Sequence, residues 1–223
     1  MYRLVLASSA ALVSSSRGDG SAVRVKAVTL LGVKVTAYAV INGTEHQRRE
    51  AAGMAAVTDP ALLDRLMDLP VAVPVSDPVF WAEMTGQPCG IIERSEDGTS
   101  VTRRLESPLV IEDVVVDAAG GRELRAVQDA SLFAGFTRRW VGVARGRIPV
   151  STMLEAKLCG VGILDPYRKV LLPAEEPVAS TMDGWSWLLQ EKAYRRWLSR
   201  RSQDHATVSP SPATGEASVV RAG

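Results

Sequence analysis

Two glycine-centred turn signals constrain this chain more than any other feature. Asp97-Gly98 and Gly120-Gly121 separate short runs rich in Val, Ile and Thr, and tight hairpin turns need the positive φ that glycine supplies. "GIIERS", "SVTRRLES", "PLVIEDVVVD" and "RELRAVQ" are therefore expected as successive strands of a meander. The fold class predicted is α+β, with a central antiparallel β-meander followed by a mainly helical C-terminal part.

The flanking segments carry their own periods. Residues 22–42 alternate, with Val33, Val35, Ala37, Ala39 and Ile41 on one side and Lys34, Thr36 and Tyr38 on the other, predicting two strands around Gly32. "TDPALLDRLMDLP" predicts a helix capped by Thr58 or Asp59, with Pro60 in its first turn and Pro70 as its stop. Proline-rich residues 71–88 read as irregular chain, anchored by Phe80 and Trp81. Further helices are expected over 129–145, capped by Asp129, over 152–159, and over 184–201, capped by Asp183. From about residue 202 the chain is rich in Ser, Pro and Ala and is expected to be disordered.

Charge divides the chain further. The formal net charge is only +1, yet residues 54–135 carry a net −8 and residues 136–201 a net +6. Four regions are expected: an N-terminal segment 1–53, an acidic β-rich region 54–128, a basic and mainly helical region 129–201, and the tail 202–223. A second reading of the first region treats it as an overextended reading frame. Arg48-Arg49-Glu50, shortly before Met54, is what a purine-rich ribosome-binding site would encode if translated. A third treats "MYRLVLASSAALVSSS" as a secretory signal, although its apolar core is short and diluted by serine.

Several chemistries are disfavoured. Cys89 and Cys159 stand alone without CxxC spacing, so a reducing, cytoplasmic setting is expected and a zinc site is not. His46 and His205 have no nucleophile-elbow sequence to serve. "GVGILD" has too few glycines for a dinucleotide fingerprint. No apolar run is long enough to span a bilayer.

Two functional patterns remain. Glu155-Ala-Lys157 matches the acid-x-lysine pair of a metal-dependent nuclease if it lies on a strand, where both side chains face one way and could share Mg²⁺. As a helix, the same segment has a Thr152-x-x-Glu155 capping box and an apolar row Leu154, Leu158, Val161, and it places Glu155 and Lys157 about 200° apart. The helical reading explains more residues.

A basic helix, a connector containing Pro149, a second helix and the strand-turn-strand "GVGILDPYRKVLLP" then resemble the second half of a winged helix-turn-helix domain. That resemblance implies DNA or RNA binding, with Arg138, Arg139, Arg145, Arg147, Lys157, Arg168 and Lys169 near the phosphates. Trp185, Trp187, Tyr194 and Trp197 interleave with Arg195 and Arg196, a mixture that also suits nucleic acid. The leading expectation is thus a non-enzymatic nucleic-acid-binding or regulatory protein without cofactor. The alternatives are a nuclease using Glu155 and Lys157, and a protein–protein or self-association module.

Overall fold

A computed structural model gives the architecture; the residues it describes are 21–76, 90–145, 147–177 and 183–208, the last five by backbone only. The expectations for a signal segment, for Phe80, Trp81 and Cys89, and for the tail beyond 208 fall outside the described residues.

The chain opens with a hairpin, β1 (Ala22–Leu30) and β2 (Val33–Ile41), turned by Leu31 and Gly32, both at positive φ. Helices α1 (Gly43–Ala51) and α2 (Pro60–Met67) follow. Asp59 caps α2 by accepting from the amides of Ala61 and Leu62, and Pro60 occupies the first turn, as the sequence predicts. The short strands β3 (Pro74–Val75), β4 (Ile92–Arg94) and β5 (Val101–Arg103) form a small sheet in the order β3-β5-β4.

Then come β6 (Leu109–Asp117), α3 (Glu123–Ser131), β7 (Arg138–Gly142), α4 (Val150–Leu158), β8 (Gly162–Leu164), β9 (Val170–Leu172) and α5 (Gly184–Val208). The main sheet has the order β1-β2-β6-β7-β8-β9. The neighbours β6, β7 and β8 are parallel and every other pair is antiparallel. Parallel neighbours require crossovers, which α3 and α4 supply. The class is α+β.

The meander expectation fails in its middle. Asp97-Gly98 does turn β4 into β5, but β6 leaves that hairpin and pairs with β2 instead. Residues 123–131 are helix, not strand. Ala126, Val127 and Ala130 form a buried helical stripe, and Gly120-Gly121 ends β6 ahead of a crossover. The helix expected over 129–145 gives way to β7, whose Trp140 and Val141 are buried in the sheet interior. The winged-helix order is not realised either. β8 is held between β7 and β9 inside the six-stranded sheet, so the 162–172 hairpin is no free wing. The tail boundary moves as well, because α5 continues to Val208.

Neither 53/54 nor 128/129 is a structural boundary, since both fall between strands of one sheet. A chain starting at Met54 would lack two of its six strands. The buried residues of α2, α3, α4 and α5 join the inner residues of the sheet in one core, which contains Leu63, Val127, Phe133, Ala156, Trp187 and Leu189. The opposite face carries a smaller cluster of Val115, Trp140 and Leu164. Gly162 is needed there, because a Cβ at this position would run into the Trp140 indole and lie 2.7 Å from the Ala174 amide nitrogen.

Candidate nucleic-acid interface

The site begins with an irregularity in β1. Val25 and Val28 are both buried, although residues three apart on a regular strand face opposite sides. A bulge between them corrects the count, and Ala27 takes up the extra residue at a φ of 62°. Alanine in this left-handed region is strained. Among the described residues β1 is an edge strand, so the outer flank of the bulge faces no other described strand.

Helix α5 lies against β1. Its start is fixed by Asp183, whose carboxylate accepts from the Ser186 amide at 2.6 Å while the Ser186 hydroxyl accepts from the Asp183 amide at 3.2 Å. Trp187, Leu188, Leu189, Ala193 and Tyr194 go into the core. Lys192, Arg195, Arg196 and Ser199 fall at i, i+3, i+4 and i+7, one stripe beside the buried face. Together with Ala27, Val28 and Thr29 they line a cleft of about 430 Å³. Among the described residues no carboxylate lines it, and none of the three cations forms an ion pair with another described residue.

A buried network holds α5 in this orientation. Arg49, on α1, is fully buried and donates to both oxygens of Glu191 at 2.6 and 2.8 Å, to Glu45 at 2.7 Å and to the Glu106 carbonyl at 2.8 Å. Glu191 also accepts from the Val57 amide at 2.8 Å. Burial disfavours the charge on Arg49, but Glu191 and Glu45 outweigh it and raise the guanidinium pKa. Burial likewise works against the Glu45 carboxylate, yet Arg48 and Arg49 bring its pKa below the ordinary value. Beside them, His46 Nδ1 lies 2.8 Å from the Tyr194 hydroxyl and Nε2 lies 2.8 Å from an Arg201 nitrogen, with Trp197 edge-on to the imidazole. None of these groups lines the cleft. They position the helix.

The residues expected from sequence separate into three places. Arg195 and Arg196 line the cleft. Arg145 and Arg147, in the loop after β7, and Arg168 and Lys169, after β8, gather at the carboxyl ends of the parallel strands. There a second cleft of about 220 Å³ also contains Asp117 and Asp165, and Arg168 is paired to Asp117 at 2.8 Å. Charge at that edge is mixed.

Arg138, Arg139 and Lys157 are at the opposite end. Arg138 is committed to buried Asp113, with two contacts of 2.9 Å, and reaches Glu176 at 3.3 Å. Burial raises the Asp113 pKa, against the opposing pull of Trp140 and Arg138. Arg139 is buried and donates to the carbonyls of Cys159 and Gly160 at 3.0 and 3.1 Å. These two arginines hold the fold and are not placed to meet phosphate. Lys157 is exposed on α4.

The nuclease geometry is absent as well. Residues 150–158 are helical, so Glu155 and Lys157 point to different sides, and no group of three His, Cys, Asp or Glu among the described residues is arranged to hold a metal. No protein-family model matches the chain, and neither a curated protein nor a solved structure is significantly similar to it. No helix among the described residues is long and apolar enough to cross a membrane.

Lys192 is a cleft residue that was not among the site residues expected from sequence. The i, i+3, i+4, i+7 spacing of Lys192, Arg195, Arg196 and Ser199 was the signal that could have found it. Nothing in the local sequence marks the bulge at Ala27, which depends on pairing with β2.

Proposed function

We propose that this is a non-enzymatic nucleic-acid-binding protein whose phosphate-contacting surface is the cleft between β1 and α5. The observation that carries this reading is the stripe of Lys192, Arg195 and Arg196, which forms no ion pair with a described residue and faces a cleft that no described carboxylate lines. Cations that spend no charge on protein partners are available to displace the counterions of a polyanion, which is the main source of sequence-independent affinity. Thr29 adds a hydroxyl donor from the β1 wall, while the Ser199 hydroxyl is already given to the Arg195 carbonyl at 2.9 Å. A cytoplasmic setting, where such a ligand is present, fits the reading.

Three phosphate contacts predict a slope of log affinity against log salt of about −2.7 for a duplex and about −2 for a single strand. The test is fluorescence anisotropy of labelled duplex and single strand, titrated with the full chain at several salt concentrations. Arg195→Glu/Arg196→Glu is expected to abolish binding, whereas Arg145→Gln/Arg147→Gln at the other edge leaves most of it. Failure of the wild-type chain to bind at low salt, or equal binding by the cleft variant, overturns the proposal.

A further inference from the structure

Helix α4 is turned the opposite way from its sequence expectation. Thr152 and Ala156 face the core, while Val150, Leu154 and Leu158 are 75%, 59% and 83% exposed. Small residues on the inner side let the helix lie close to the body of the protein, and the large apolar ones are left in water. The neighbouring α3, packed against α4, exposes Leu124 and Leu132 at 43% and 48%. These leucines are two turns apart on one face, with Gln128 between them.

Taken with their exposed fractions, the five side chains present roughly 500 Å² of apolar surface, toward the upper end of the largest patch on an ordinary monomer, about 300–600 Å². With its polar rim of Ser151, Lys157, Arg125 and Gln128, the patch approaches the ~800 Å² per partner of a specific complex.

The geometry points to a second copy of this chain as the occupant, docked two-fold through α4. Val150, Leu154 and Leu158 are spaced by four residues on either side of Leu154. An isologous interface requires one patch to complement itself. With the axis passing at Leu154 and the two helices antiparallel, Val150 of one copy meets Leu158 of the other at both ends. The flanks agree: Ser151 comes opposite Lys157, and Met153 opposite Glu155, so no like charges face each other. The α3 rows then extend the contact on each side. The dimer leaves the β1–α5 cleft of each copy outside the contact, and its test needs no nucleic acid.

Sedimentation velocity on the full chain without nucleic acid, from about 1 µM to about 100 µM, reads the mass directly, over the range expected for an interface at the small end of the specific classes. The expected result is a monomer–dimer equilibrium that Leu154→Glu and Leu158→Glu each shift to monomer by at least tenfold in Kd. Both side chains are exposed, so circular dichroism is expected to show an unchanged fold. A wild-type chain that stays monomeric throughout overturns the inference and returns the patch to another occupant. A dimer indifferent to both substitutions overturns it too, because its interface then lies elsewhere.

Discussion

Replacing Arg49 by methionine tests the network that seats α5. Arg49 and Glu191 are both fully buried, and the guanidinium supplies two of the three hydrogen bonds described on the Glu191 carboxylate. Methionine fills similar space without charge. Glu45 would keep Arg48 as a partner, at 2.7 and 2.8 Å. Glu191 would keep the Val57 amide and the weaker support of the Trp187 indole. The loss is thus concentrated on one buried carboxylate, and breaking a buried pair in this way costs about 3–5 kcal/mol. Against a total stability of about 5–15 kcal/mol that is a large fraction.

The second half of the cycle is Arg49→Met/Glu191→Leu, which removes both charges and is expected to recover all but about 1–2 kcal/mol, since an apolar replacement for a buried pair is often near neutral. Urea unfolding followed by tryptophan fluorescence reads all four corners. A coupling energy of about 3 kcal/mol is expected. If Arg49→Met costs less than about 1 kcal/mol, or the single changes add within ~0.5 kcal/mol, then Glu191 is solvated or repartnered and the reasoning fails.

Two further outcomes are expected. Gly162→Ala is expected to destabilise by about 2–4 kcal/mol and to redshift or broaden the Trp140 emission, because the new methyl displaces the indole that Asp113 holds at 2.7 Å; an unchanged unfolding midpoint would show that the outer cluster yields freely. The pH dependence has a definite sign at Glu45. Its folded pKa lies below the ordinary 4.5, so the folded state binds fewer protons than the unfolded one in that window. The stability it contributes is present above pH 4.5 and is lost as pH falls through the lowered value. Glu45→Gln is expected to flatten this part of the acid limb in urea titrations between about pH 3 and 6, and an unaltered slope would remove Glu45 from the account.

What was legible in the sequence was whatever its neighbours decide. The alternation of residues 22–42, the Asp59-Pro60 start of α2 and the Asp183 cap of α5 are set within a turn or a hairpin, and each appears where expected. The partner of β6 was not legible. It is β2, about seventy residues earlier in the chain, and pairing at that distance leaves no mark in a local window. The run Val114, Val115 and Val116, buried on both faces of β6, was the available hint, since a strand inside a sheet covered on both sides reads as consecutive apolar residues. Residues 122–128 were misread because Gly120-Gly121 suggests a hairpin, whereas Glu123, Leu124, Arg125 and Ala126 are all good helix formers.

At the site, the fold places both Arg195 and Arg196 on the cleft, and charge singled both out as nucleic-acid-binding residues. It could not separate them from Arg138 and Arg139, whose buried partners lie on other strands and loops. Composition reports how many arginines a region holds and says nothing of which are already committed.

The Arg49–Glu191 contact has a consequence for the newly made chain. Arg49 emerges from the ribosome 142 residues before the carboxylate that it binds through two nitrogens. At about 5–20 residues per second, the hairpin and α1 wait on the order of ten seconds for their last helix. Until α5 arrives, α1 must keep Arg49 in water, and the inner faces of β1 and β6 remain uncovered by the helix that later lies against them. Completion of the core is therefore a closing event timed by translation, and a ribosome stalled just before residue 184 would be expected to hold a nascent chain open to proteases and chaperones.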